Sequence, residues 1–293
     1  MNKTSYNEME EKRMKKGVSL LGMMFVIVVI LVGGSGKGKE VNQSEASITP
    51  VLVQEPPTAE LQVFIAASLK NAMEEIQTHY KELHPEVNLV FNTDSSGTLQ
   101  KQIEEGVTCD IFFSAAMKQM DVLKDGGYVI PDSVVQLLEN KVVLIKPLGA
   151  ETLVTGFENI TKATNIALAG EDVPVGAYAR EIFTSLGILD QVMAMEINEC
   201  TNVIAVLSAI SEGSNEVGIV YATDAKAVKD TVEIIAEAPV GSLVKSVIYP
   251  VALIKNEQAS ENELAAAKEF LAYLESESAL EVLEAHGFTA YKD

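Results

Sequence analysis

The sequence predicts an α/β fold of two lobes joined by paired crossover strands, preceded by an N-terminal apolar signal or anchor segment. Three observations lead there. Strand–loop–helix units recur along the chain, the grammar of a parallel sheet with crossover helices. Two apolar stretches, "KVVLIKP" (141–147) and "KSVIYPVALIK" (245–255), read as strands running between the lobes. The tail 261–288 carries two helices that would return to the first lobe. Two lobes on a pair of crossovers describe a hinged clamp. The predicted division is a signal peptide or membrane anchor over 1–40, a flexible linker over 41–59, lobe I over 60–140 and again over 247–293, and lobe II over 141–246.

The N-terminus gives the chain its address. Lys12, Arg13, Lys15 and Lys16 precede "GVSLLGMMFVIVVILVGG" (17–34), an uncharged apolar run. A basic flank followed by such a run is the layout of a signal peptide or signal anchor. "ILVGGS" is similar to the end of a bacterial lipoprotein signal, yet no cysteine stands there; an uncleaved anchor and cleavage near Gly34 both remain open. Either places the folded body outside the cytoplasm, at the outer face of the membrane, anchored or secreted. Polar and Pro-containing sequence up to "EPP" then reads as a tether.

Composition narrows the partners. Of 293 residues, 47% are hydrophobic and 22% charged, and the net charge is −20. Residues 1–40 hold seven Lys/Arg and four Asp/Glu, leaving 15 basic and 38 acidic residues for the remainder. That surface repels nucleic acid and anionic lipid, and any anionic ligand must be held by local donors. Cys109 and Cys200 lack C-x-x-C spacing, so zinc and redox motifs are excluded; a disulfide and two buried free thiols are both compatible with the count. The histidines His79, His84 and His286 show no ligand spacing.

Each element of the body has a local reason. "LQVFIAAS" (61–68) is a short apolar run followed by a helix on which Leu69, Met73, Ile76 and Tyr80 recur at helical spacing and which His84-Pro85 ends. "VNLVFN" leads into the helix "TLQKQIEEG", closed by Gly106, then "CDIFFSA" into "MKQMDVLKDGG". The same pattern returns downstream. "NIALAG" leads through "EDVPVGAY" to "AREIFTSLG", "AMEIN" through "ECTN" to "VIAVLSAISEG", and "VGIVY" through "ATD" to "AKAVKD".

Five strand-end loops hold hydroxyls and backbone N–H groups at helix starts, with almost no cationic side chains. They lie at 66–68, 93–98, 173–176, 200–203 and 221–223. Helix N-termini attract anions through unpaired donors and the helix dipole. Neutral donors suit a fully ionised, compact oxyanion that only accepts hydrogen bonds. Taken singly, each Ser or Thr reads as an N-cap, Val203 as core, and Tyr221 as a packed ring with its hydroxyl at the surface.

The blocks "FIAASLKNAMEEI", "SSGTLQKQIEEGVTCDIFFSA", "VPVGAYAREIF" and "EVGIVYATDA" resemble the molybdate-binding component of ABC importers, within the type II periplasmic-binding-protein fold. The resemblance runs from about residue 61 to 288. It implies that Ser68, Ser96 and Tyr221 donate from side chains, and Val175 and Val203 from backbone N–H, to molybdate or tungstate. The metal is thus held only as its oxyanion, with no cofactor. It further implies a monomeric, non-enzymatic receptor working with a permease and its ATPase, and reaching the membrane through the N-terminal segment. Two positions depart from the pattern: Val175 is bulkier than the alanine expected, and Asp94 sits two residues before Ser96, where it is expected to point outward or accept from backbone N–H groups. A receptor for sulfate or another tetrahedral oxyanion, and a tethered anion sensor, are the alternatives. A serine hydrolase is disfavoured because no G-x-S-x-G surrounds these serines and no histidine is placed as their base.

Overall fold

Two mixed sheets, each flanked by helices, make up the body, and the computed structural model describes residues 59–292. The predicted signal or anchor and most of the linker lie outside the described residues. Among the described residues no helix is long and apolar enough to cross a membrane.

The first half runs β1 (Ala59–Ala66), a 3-10 turn (Ala67–Leu69), α1 (Lys70–Leu83), β2 (Val87–Asp94), α2 (Ser96–Glu104), β3 (Ile111–Phe113), α3 (Met117–Asp125) and β4 (Val135–Asn140). The second sheet's elements follow: β5 (Val142–Pro147), β6 (Asn165–Ala169), α4 (Pro174–Ser185), α5 (Leu189–Met193), β7 (Glu196–Cys200), α6 (Val203–Ser211), β8 (Val217–Tyr221), α7 (Ala222–Ala227) and β9 (Val232–Glu237). The chain then returns through β10 (Val247–Leu253), α8 (Glu261–Leu274), α9 (Glu277–Ala285) and β11 (Thr289–Ala290).

One sheet has the order β11-β4-β10-β3-β1-β2 and the other β7-β6-β8-β5-β9. In the first, β2, β1 and β3 run parallel, β10 is antiparallel to both β3 and β4, so that β4 points the same way as β3, and β11 is antiparallel to β4. In the second, β7, β6 and β8 are parallel, and β5 runs antiparallel to both β8 and β9. The parallel strands at each centre are buried on both faces, so they read as unbroken apolar runs such as "IFF" and "VGIVY". The edge strand β7, "EINEC", is correspondingly mostly exposed.

The expected amphipathic stripe of α1 is realised: Leu69, Met73, Ile76 and Tyr80 are all solvent-excluded. Each large side chain withdrawn there contributes about 1.5–3 kcal/mol. The helix ends at Leu83, and His84, its C-cap, leaves the helical region at φ −128° ahead of Pro85.

Three differences from expectation have local causes. Strands β4, β9 and β11 are additional to the expected set; "VEIIAE" and "VQLLEN" carry too many polar residues for an apolar-run criterion. The stretch "VPVG" is the first turn of α4 and not a loop, because Pro174 occupies the first helical position, where its missing N–H is harmless and its fixed φ is already helical. Each supposed crossover strand lies within one sheet; the passages between sheets are Lys141, between β4 and β5, and residues 238–246, before β10.

Gly176 fixes how closely α4 can approach β6. A Cβ there would lie 2.2 Å from the Gly170 carbonyl oxygen and 2.4 Å from that of Ala169, both backbone atoms. Gly176→Ala is therefore expected to destabilise the fold by about 1–3 kcal/mol, read as a lower denaturant midpoint at unchanged slope.

Candidate functional site

Helix starts from both sheets meet where the parallel strands end. From the first sheet come the 3-10 turn after β1, with Ser68, and the start of α2, with Ser96. From the second come the starts of α4, α6 and α7, with Val175 and Val203 at the first turns of α4 and α6 and Tyr221 as the N-cap of α7. Helix α6 packs directly on the 3-10 turn that carries Ser68. Ser96, Val175, Val203 and Tyr221 are each at most 3% exposed. A cavity of about 550 Å³ lies beside this junction, between Met117 and Val122 of α3, Pro174 and Tyr178 of α4, and Ile248.

The opening hydroxyls of α2 divide their work. Ser95 is the N-cap, accepting from the Thr98 N–H at 3.1 Å. Ser96 does not cap. Its Oγ accepts the Ala115 N–H at 2.9 Å, from the segment just after β3, and this satisfies the oxygen while leaving its own proton to give away. Ser68 Oγ lies 2.9 Å from the Tyr249 hydroxyl.

Tyr221 differs from its bland reading. Its hydroxyl is buried, not at the surface, and has no hydrogen-bond partner among the described residues. The ring sits edge-on to Tyr249, with centroids 5.5 Å apart. Burial pushes both phenols well above their ordinary pKa, so each keeps its proton as a donor at neutral pH. A buried polar atom left single costs on the order of 1–3 kcal/mol. The N–H groups of Val175 and Val203 fall among those that a helix cannot satisfy internally.

Asp94 is resolved by its neighbours. Its Oδ1 accepts from the Ser95 N–H at 2.7 Å and from Asn202 Nδ2 at 3.2 Å. The carboxylate is thus turned onto donors of its own, one of them from the opposite lobe. Nearby cations are likewise engaged. Lys101 Nζ bonds Asp172 Oδ2 at 2.7 Å across the cleft, and Arg180 Nη1 donates to the carbonyls of Ala169 and Gly176 at 2.9 Å each. Among the described residues no group of three or more His, Cys, Asp or Glu is placed to hold a bare metal ion. Cys109 and Cys200 are free and buried.

Sequence reasoning singled out the loop holding Thr223 but missed the other residues behind the hydroxyls: Tyr249 on β10, Asn140 ending β4, and Asp224 in the first turn of α7. Asn140 Nδ2 donates to Thr223 Oγ1 at 2.9 Å and to the Tyr249 hydroxyl at 3.2 Å. Nothing local marks Tyr249, which is one aromatic in an apolar strand; only sheet pairing brings it to Ser68.

Comparison with known proteins follows the same outline. Residues 61–289 match the family described as bacterial extracellular solute-binding protein. A Bacillus subtilis protein, named provisionally as an ABC transporter substrate-binding lipoprotein, is 36% identical over 262 residues, 89% of this chain and 94% of that one. The molybdate-binding protein ModA of Haemophilus influenzae is 34% identical over 241 residues, 80% of this chain and 91% of its own. Among solved structures, a Clostridium difficile substrate-binding domain, described provisionally as that of a molybdenum ABC transporter, superposes with a TM-score of 0.60 at 34% identity. It covers 80% of this chain and 100% of that domain.

Two measurements probe the site. A Cβ on Gly97 would lie 2.1 Å from the Asp172 carbonyl oxygen on the facing lobe. Gly97→Ala is expected to hold the lobes apart, giving a larger radius of gyration by small-angle scattering than the parent under the same conditions. Asp224 is the second. Burial pushes its carboxyl up to about 7, against an ordinary value of 3.8, although the Tyr221 N–H donates to it at 3.1 Å. The native state therefore holds a proton that the unfolded chain gives up, so stability falls as pH rises between 3.8 and about 7 and levels beyond. Asp224→Asn keeps an acceptor for Tyr221 and cannot titrate; its denaturant stability relative to the parent is expected to rise across that window.

Proposed function

The chain belongs to the bacterial extracellular solute-binding proteins, and from that membership we propose that it captures molybdate between its lobes and delivers it to the permease of an ABC importer. The Tyr221 hydroxyl, buried with its proton unused, is the observation that carries the reading. Relatives named for molybdate over most of their length supply the identity of the ion.

In this reading Ser68 and Ser96 from lobe I, and Tyr221 with the N–H groups of Val175 and Val203 from lobe II, replace the water shell of the dianion. All five are uncharged donors. Each hydrogen bond to a charged acceptor contributes about 1.5–3 kcal/mol net. The set contains no carboxylate acceptor, which disfavours anions that carry a proton at neutral pH. Sulfate has the same charge and shape class, so its exclusion rests on size: donors spaced for the larger ion reach the smaller one poorly. Tungstate, matched to molybdate in charge and shape, is taken as well.

Lobe I comprises 60–140 and 247–293 and lobe II comprises 141–246, hinged where Lys141 and residues 238–246 pass between the sheets. Opening there admits the ion, and Lys101–Asp172 and Asn202–Asp94 re-form on closing. The receptor works as a monomer at the outer face of the membrane, held or exported by its N-terminal segment, with the permease and its ATPase as partners. It turns over no substrate.

Titration calorimetry and native mass spectrometry test this together. With equimolar molybdate, tungstate, sulfate and phosphate, the expected spectrum holds the molybdate and tungstate complexes alone; saturation by sulfate at similar concentration would overturn the assignment. Ser68→Ala and Ser96→Ala are each expected to weaken molybdate binding by about tenfold to a hundredfold. Unchanged affinity in the double variant would remove both from the site.

A further inference from the structure

We infer that Tyr249 and Asn140, which lie on the strands at the hinge, set the direction in which Ser68 gives its proton, making Tyr249 a positioning residue for ligand capture. This rests on the reading of Ser68 as a donor to the bound anion.

The proposed chain starts from an amide whose two ends are told apart by their partners. Asn140 Oδ1 accepts the Lys141 N–H at 2.8 Å, so the other end of the amide, the Nδ2 group, is the end that faces the hydroxyls. That Nδ2 donates to Thr223 Oγ1 at 2.9 Å and to the Tyr249 hydroxyl at 3.2 Å. An amide nitrogen only donates, so the phenol oxygen is the acceptor in that contact. The inference assigns the phenolic proton to Ser68 Oγ, 2.9 Å away, a contact in which either hydroxyl can donate. A phenol is the stronger acid of the two hydroxyls and takes the donor role. Ser68 Oγ is left as an acceptor on its inner side, with its own proton free to turn into the cleft. Donation through successive hydrogen bonds polarises each in the same sense, so the serine proton becomes a better donor than an isolated hydroxyl.

The same residues link the lobes. Ser68 belongs to the first sheet's helix layer, Tyr249 and Asn140 to β10 and β4, and Thr223 to α7 of the second lobe, next to Tyr221. Tyr249 also packs edge-on to Tyr221. One solvent-excluded phenol therefore touches a proposed donor from each lobe, one through its hydroxyl and the other through its ring.

The test is a double-mutant cycle on molybdate affinity by calorimetry, using Ser68→Ala, Tyr249→Phe and the double variant. Tyr249→Phe keeps the ring and its contacts and deletes only the hydroxyl. The expected result is a loss of about tenfold for Tyr249→Phe in the parent and little or no further loss when Ser68 is already alanine. Equal losses in both backgrounds, or none in the parent, would overturn the positioning role while leaving Ser68 as a ligand. No loss for Ser68→Ala would instead overturn the reading on which the inference stands. Should Tyr249→Phe fail to fold, Asn140→Ala, which removes the amide feeding the same phenol, enters the cycle with the same two outcomes.

Discussion

Buried polar groups must find partners, and the hydroxyls at the junction between the two lobes meet that constraint in different ways. Ser96 takes the Ala115 N–H, so its proton is uncommitted. Ser68 stands against Tyr249, itself fed by Asn140. The Tyr221 hydroxyl has no partner among the described residues, and burial keeps it protonated. Acceptors that would compete for these protons are occupied: Asp94 is turned onto Ser95 and Asn202, and Asp224 onto the Tyr221 N–H. In the proposed reading, this set of hydroxyls gives its protons to the bound anion.

Such a set suits a chain whose net charge is −20. Long-range attraction cannot draw an anion to this surface, and the neighbouring cations are tied to a carboxylate or to carbonyls. In the proposed function, affinity then depends on short contacts made together by closure of the lobes. The Lys101–Asp172 bridge is exposed and contributes little by itself. The close fit of Gly97 against the Asp172 backbone matters more, because packed backbone tolerates no added atom.

How far the sequence could be read depended on whether the signal was local. The parallel strands were legible because burial on both faces leaves unbroken apolar runs. The buried stripe of α1 was legible because Leu69, Met73, Ile76 and Tyr80 share one helical face. Strands β4 and β9 were not, since half-exposed strands dilute the same signal with polar residues. The first turn of α4 hid in "VPVG" because proline marks a helix start and a loop equally well. Ser95 as a cap followed from its place before the helix. The separate task of Ser96 did not, because Ala115 lies nineteen residues away and only the pairing of β1 with both β2 and β3 brings the two together.

By itself the sequence determined the alternation of strand and helix, the two-lobed class, and the neutral, hydroxyl-bearing character of the strand ends, since each is written in residues a few positions apart. Only the tertiary structure decided which oxygens are already supplied, that Tyr221 points its hydroxyl inward, and that Tyr249 and Asn140 stand behind Ser68. Those facts depend on atoms from separate strands meeting at hydrogen-bonding distance, and Ser68 and Tyr249 are separated by 181 positions along the chain.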